Sequence, residues 1–161
     1  MPLKIIKYPN QLLRKKAAPV TEFPLDPALI SQLQESLHAS ENGVALAANQ
    51  IGIDVHVFFI SERVPYDQIY VNASYESIHK DDAVTMEEGC LSFPHLRLSL
   101  KRPLWIRVKY QTRTGEHKEL VADGFLSRII QHEVDHLSGV LFIDSLPKKE
   151  KALLIEKILS R

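Results

Sequence analysis

Two histidines sit four residues apart in the stretch QHEVDH, Gln131 to His136, and Glu133 directly follows the first of them. On a helix, positions i and i+4 lie one turn apart on the same face, so His132 and His136 can converge on one cation. The adjacent Glu133 can then reach a water activated by that cation without ligating it. This is the H-E-x-x-H arrangement of metal-dependent hydrolases. Given seven histidines and twelve glutamates among 161 residues, chance supplies the pattern about 0.02 times per chain. Coincidence is therefore a poor explanation.

At about 100° per residue, residues 125–138 fall into three stripes rather than two. Phe125, Ile129, His132 and His136 share one, with Glu133 at its edge. Leu126, Ile130, Val134 and Leu137 form a wholly apolar second. Ser127, Arg128, Gln131, Asp135 and Ser138 fill a polar arc. An ordinary amphipathic helix has a core face and a solvent face. A third stripe that mixes imidazoles with apolar side chains suits a pocket wall, and it argues against two surface histidines on a solvated helix.

A hydrolytic metal site takes three protein ligands and keeps one position open. Some H-E-x-x-H enzymes use a carboxylate as the third, and Glu150 and Glu156 are the glutamates that follow the motif. They belong to a basic segment that reads as a packing helix. The other source is Cys90 in MEEGCLSFPHLRLSL. A lone cysteine is more often a core residue than a ligand. Here Glu87, Glu88 and Gly89 precede it, and that run reads as a bend presenting Cys90 to a polar site. The residues alone leave both sources open.

The elements that must position these groups are legible in outline. A helix is expected from Asp26, which can cap it, with Pro27 in its first turn, and Asn42-Gly43 as its stop. Leu29, Ile30, Leu33 and Leu37 form its apolar stripe. DVHVFFI, QIYVNAS, LRLSL, LWIRVKYQT and HKELVA read as strands. The metal-binding helix spans about Asp123 to Leu137, ends at Gly139, and is followed by a short helix from about Pro147 with Leu154, Ile155, Ile158 and Leu159 on one side. These add up to an α+β architecture with mostly antiparallel sheets around a central metal-binding helix, in one domain over residues 1–161.

Composition narrows the class further. Lys+Arg and Asp+Glu are both 20, and apolar residues make up 45%, so nothing steers the chain toward DNA or an anionic membrane. A single cysteine excludes an intramolecular disulfide and fits a reducing compartment. MPLKIIKYPN lacks the apolar run of a signal peptide. A cytoplasmic protein is expected.

Three segments together carry a resemblance. EGCLS (Glu88 to Ser92), QHEVDH and the loop GVALAANQ (Gly43 to Gln50) resemble the signature of bacterial-type peptide deformylases, in that family's order and spacing. The similarity runs from YPNQLLRKKAAPV to HLSGVLFID. The resemblance implies a hydrolase that removes the formyl group from the formyl-methionine of nascent polypeptides, releasing formate. It implies Cys90, His132 and His136 as ligands of one divalent ion, Fe²⁺ foremost, with Ni²⁺, Co²⁺ or Zn²⁺ as substitutes. Glu133 is then the general base and acid. The Gln50 amide and the Leu91 backbone N–H are the donors to the developing oxyanion.

For the substrate, Val44, Ala45 and Leu46 are expected to pair with the peptide backbone as an added strand. Val44, Phe125, Ile129 and His132 are expected to wall the methionine pocket. Glu88, Gly89 and Arg97 are expected to line the groove. Arg97 and Arg128 either shape the pocket mouth or are simple surface charges, and Asp135 either orients the site or forms a surface ion pair. The family usually has a second glycine where this chain has Ala45, which is tolerable at negative φ and obstructive at positive φ. The expected partner is the formylated peptide, met by a monomer, with a weak ribosome contact through Lys148, Lys149, Lys151 and Lys157 as a further possibility. Two other readings are a small peptidase with a carboxylate ligand and a non-enzymatic binding protein on this fold.

Overall fold

Asp26 starts the first helix as its side chain predicts: the carboxylate accepts the Ala28 N–H at 2.9 Å, and Pro27 occupies the first turn. In the computed structural model, which describes residues 1–161, this helix, α1, spans Pro27–His38. It stops before Asn42-Gly43. Residues 39–44 form a loop instead, with Asn42 at φ 62°.

Seven strands follow: β1 (Ala45–Ala47), β2 (Val57–Ile60), β3 (Ile69–Ser77), β4 (Val84–Cys90), β5 (Phe93–Arg102), β6 (Ile106–Gln111) and β7 (His117–Ala122). All pairings are antiparallel. Five strands make one sheet in the order β1-β2-β3-β6-β7, and β4 and β5 form a separate hairpin. The helix carrying the H-E-x-x-H residues, α2, spans Gly124–Leu137, and α3 spans Lys148–Leu159. The architecture is α+β, as the sequence leads one to expect.

Successive side chains of a strand point to opposite faces, and β2 is apolar at every position. Phe58 and Ile60 pack with Ile129, Ile130, Val134 and Leu137 of α2. Val57 and Phe59 pack with Leu33 and Leu37 of α1. The large sheet is thus covered by α2 on one face and α1 on the other. A third cluster, including Leu13, Phe93, Leu100 and Phe142, joins the β4–β5 hairpin to α3. Leu154, Ile155 and Ile158 pack against that cluster, whereas Leu159 does not join it and is largely exposed.

Two expectations need correction. The Glu87-Glu88-Gly89 run is a strand, not a bend. Its carboxylates alternate as a strand requires: Glu87 points outward to Arg97 at 2.6 Å, and Glu88 points inward. The polar arc of α2 is not a solvent face either. Ser127, Arg128 and Gln131 are buried. Gln131 Nε2 donates to the Pro103 carbonyl and to Ser127 Oγ, both at 2.9 Å. The polar arc is enclosed because β5 and its following turn supply polar partners. Gly139 ends the segment at φ 76°, packed against the backbone of Arg14 so closely that a Cβ would meet the Arg14 carbonyl oxygen. No helix is long and apolar enough to cross a membrane.

Candidate active site

α2 brings His132 and His136 side by side, with ring centroids 4.9 Å apart. Cys90 reaches them from the hairpin. It ends β4 where the pairing with β5 jumps, Gly89 opposite Arg97 but Cys90 opposite Phe93. That irregularity frees the strand end from regular register. Cys90 Sγ lies 3.2 Å from His136 Nε2, and the donor atoms of Cys90, His132 and His136 all lie within 4.8 Å of one another. Glu150 and Glu156 are not among the converging donors.

The protonation chemistry matches a ligand set. Burial alone would raise the Cys90 thiol, but His136 and His132 overcome it and hold the group well below its usual value. The thiolate is the form that binds metals. Burial opposes the His132 imidazolium, yet contacts to Cys90 and Glu88 outweigh it and hold that ring up to about 10. These shifts favour a Cys90 thiolate beside a His132 imidazolium, whose proton a divalent cation would displace. A thiolate with two imidazoles suits zinc and also ferrous iron. Three converging donors, rather than four, leave a position open, as catalytic sites do.

Glu133 stands beside the trio and outside it. Its Oε2 is buried without a hydrogen-bond partner. Burial raises its proton affinity, against the pull of the two imidazoles. A cation at the trio adds its own charge, which favours the carboxylate form. Glu133 lines the cleft and burial raises its affinity for a proton, so it can take one from a small molecule bound beside the trio.

Glu88 borders the cleft, as expected, but its carboxylate is taken up by buried partners. It accepts from Arg102 Nε and Nη2 at 2.6 and 3.0 Å, from Arg128 Nη1 at 2.8 Å, and faces His132 Nδ1 at 3.0 Å. The last contact fixes the His132 ring and leaves Nε2 for the shared space. Arg128 is accordingly not a simple surface charge: it borders the cleft from a buried position. It also donates to the carbonyls of Leu100 and Val84. Asp135 extends the network, accepting from Arg102 Nη1 at 2.8 Å and from the Tyr75 hydroxyl at 2.9 Å.

This network sets a pH dependence of stability. Burial opposes the Glu88 carboxylate, but the His132 and Arg102 contacts win and hold it down to about 2, from an ordinary 4.5. A carboxylate depressed in the folded state contributes stability that is present above its unfolded value and lost as the pH falls through its folded value. Glu88→Gln should therefore be less stable than the unsubstituted protein at pH 7, by about 3 kcal/mol. That gap should narrow as the pH falls from about 5 toward 2. Urea unfolding of both proteins at several pH values checks this. A gap that stays constant with pH contradicts it.

The trio opens into a cleft of about 770 Å³. Val44, Ala45, Gln50, Gly89, Arg97 and Leu91 line it, together with Phe125, Ile129, His132 and Glu133 of α2. Phe125 is 47% exposed at the cleft, and Ile129 lies deeper. Leu46 is different: its side chain is wholly buried in the α1 core, and it does not line the cleft. β1 is the edge of the large sheet, with one side paired to β2 and the other unpaired. Ala45 is extended and not among the residues at positive φ, so its methyl replaces glycine without backbone strain. Arg97 sits exposed at the groove, paired with Glu87.

Gln50 is buried at the back of the cleft, its Nε2 3.8 Å from Cys90 Sγ and 3.1 Å from Ser92 Oγ. Several contributors are not evident from the residues alone. Asn49 Nδ2 donates to the His136 carbonyl at 2.6 Å. Arg102 and Tyr75 carry no local signal, since their partners lie on distant elements. Ser92 is the last residue of the EGCLS segment and could have been flagged from it.

Comparison with known proteins agrees with this geometry. The model of the family described as polypeptide deformylase matches residues 2–152. A peptide deformylase of Opitutus terrae is 38% identical over 174 residues, covering 96% of this chain and 90% of its own. Among solved structures, the peptide deformylase of Thermus thermophilus superposes with a TM-score of 0.86 at 35% identity, over 99% of this chain and 95% of that one. A peptide deformylase from Synechococcus elongatus in complex with actinonin gives a TM-score of 0.84 at 34% identity, over 96% and 85%.

Proposed function

This chain belongs to the polypeptide deformylase family, and from that membership we propose that it hydrolyses the formyl group from N-formyl-methionyl peptides of nascent chains. The observation that carries the proposal is the meeting of Cys90, His132 and His136 within 4.8 Å, beside the buried carboxylate of Glu133.

Cys90, His132 and His136 would hold a divalent cation, Fe²⁺ by family likeness. When bound, it supplies Lewis-acid chemistry: it acidifies a water and polarises the formyl oxygen. The remaining work falls to this chain's own groups. The Glu133 carboxylate takes the proton of the attacking water and returns it to the amide nitrogen as the C–N bond breaks. One water is consumed, the acyl fragment leaves as formate, and the peptide leaves with a free α-amine. The Gln50 side-chain N–H and the Leu91 backbone N–H donate to the oxygen as it becomes negative. Glu88 keeps the His132 ring in the required tautomer.

Substrate enters along the free edge of β1, where backbone groups of Val44 to Leu46 pair with the peptide irrespective of its side chains. Val44, Phe125, Ile129 and the His132 ring form the apolar wall for the methionine side chain, with Gly89 allowing close backbone approach. A backbone-reading groove suits an enzyme that must accept many chains. A cytoplasmic monomer with weak ribosome contact through α3 is the matching cellular setting.

The test is an assay of the metal-loaded protein with a formyl-methionyl tripeptide, following formate and free amine together. We expect both in equal amounts, and no release from the same peptide carrying an acetyl group. A metal-loaded, folded protein with no turnover would favour a binding protein on this fold, and internal cleavage of unformylated peptides would favour a peptidase.

A further inference from the structure

Gln50 lies just after β1, and Ser92 lies just after β4. Their side chains meet inside the protein, 2% and 1% exposed, so bulk water does not compete for their bonds. Gln50 Oε1 accepts the Ala47 N–H at 3.0 Å, which identifies the oxygen end of the amide. Nε2 therefore carries two N–H groups on its other end. One donates to Ser92 Oγ at 3.1 Å. On its remaining side Nε2 lies 3.8 Å from Cys90 Sγ, a loose contact at the reaction centre.

The backbone around both residues is tied down by one segment. Ile6 N–H donates to the Gln50 carbonyl at 2.7 Å, and Tyr8 N–H to the Ser92 carbonyl at 3.0 Å. Between them, Lys7 Nζ donates to the Leu91 carbonyl at 2.6 Å. Gln50 and the Leu91-Ser92 turn are thus laced to the same three residues. A single bond to Ala47 would leave the amide plane of Gln50 free to swing about that contact. A second bond, to Ser92, fixes the plane.

We propose that Ser92 is a positioning residue: its hydroxyl takes one N–H of Gln50 and so aims the other at the oxygen that turns negative when the formyl group is attacked. The inference rests on the reading of Gln50 as an oxyanion donor. It assigns Ser92 an effect on rate rather than on substrate binding, because the fixed N–H matters only once charge develops.

Four proteins test it: unsubstituted, Ser92→Ala, Gln50→Ala and the double variant, each metal-loaded and assayed on a formyl-methionyl tripeptide. Gln50→Ala should lower kcat about 10²–10³-fold. Ser92→Ala should lower kcat about tenfold, the rate equivalent of one lost hydrogen bond, with KM within about twofold. In the Gln50→Ala background, Ser92→Ala should cost nothing more, because the group it positions is gone. A merely structural serine would impose its cost in both backgrounds. The Gln50 side-chain amide signals in ¹⁵N NMR should also shift in Ser92→Ala, independently of turnover.

Should Ser92→Ala fail to fold, the near-isosteric pair Ser92→Thr and Ser92→Val carries the comparison, since only the hydroxyl distinguishes them. Higher kcat for Ser92→Thr is the expected result, and equal values overturn the proposal. A costly Gln50→Ala with a harmless Ser92→Ala overturns the role of Ser92 alone. A harmless Gln50→Ala overturns the oxyanion reading, and this inference with it.

Discussion

Glu133→Gln is expected to leave the protein folded and metal-loaded while lowering kcat for a formyl-methionyl peptide by about 10²–10⁴-fold. The substitution keeps the shape of a side chain that is buried beside the trio but not part of it. What it removes is the ability to take a proton, which burial favours at this carboxylate. An amide there can donate and accept hydrogen bonds but cannot carry a proton from water to a departing nitrogen. KM should change little, because the groove edge and the methionine wall are untouched. Metal content measured on the same sample decides whether the loss is chemical: a full complement of metal with lost turnover is the predicted pair. Unchanged kcat would show that the proton is handled elsewhere.

Cys90→Ala acts at the other end of the site and should fail for a different reason. It removes one of three donors, and the two imidazoles left behind make an incomplete set for a divalent cation. Metal content should drop from about one per chain to near background after dialysis. Turnover should fall by more than the about 10–100-fold that loss of an outer partner such as Glu88 costs. The fold should survive, because Cys90 sits at the end of β4 and the hairpin is held by the pairing before it. A variant that keeps its metal would mean a carboxylate has served as the third ligand, which is the peptidase reading.

How far residues alone predict this site depends on how local its parts are. The H-E-x-x-H helix could be read from its 3.6-residue period, since His132, His136 and the apolar stripe repeat on one element. β6 could be read from its alternation, and Ile106, Val108 and Tyr110 are buried as that alternation requires; β7 follows as its return strand after the Thr114-Gly115 turn. Glu88 shows the limit. Its carboxylate is held by Arg102 and Arg128 and touches His132, groups that are 14 to 44 residues away in the chain. A glutamate on a strand reads as exposed unless those distant partners are known. The same holds for Ser127, Arg128 and Gln131, whose burial depends on carbonyls and carboxylates from β4, β5 and the turn after β5. Ala45 could be judged only once the backbone around it was known to be extended. Its family departure therefore carries no backbone strain.

The network from Tyr75 through Asp135, Arg102 and Glu88 to His132 also explains why α2 tolerates so many polar groups inside. Each charge has an opposite charge and hydrogen-bond partners, which is the condition for burying them at acceptable cost. The second consequence is rigidity where the chemistry needs it. The His132 ring, which must present one nitrogen to a cation, is held at its other nitrogen by Glu88, and the Gln50 amide is held at both ends.

The most direct test of the account is X-ray absorption at the edge of the metal in the loaded protein. Cys90, His132 and His136 predict one sulfur at about 2.3 Å and two nitrogens at about 2.0–2.1 Å for a zinc-loaded sample, with one further light atom from solvent. A first shell of nitrogen and oxygen with no sulfur would contradict it, because the sulfur of Cys90 is the ligand that separates this site from a carboxylate-bound H-E-x-x-H centre.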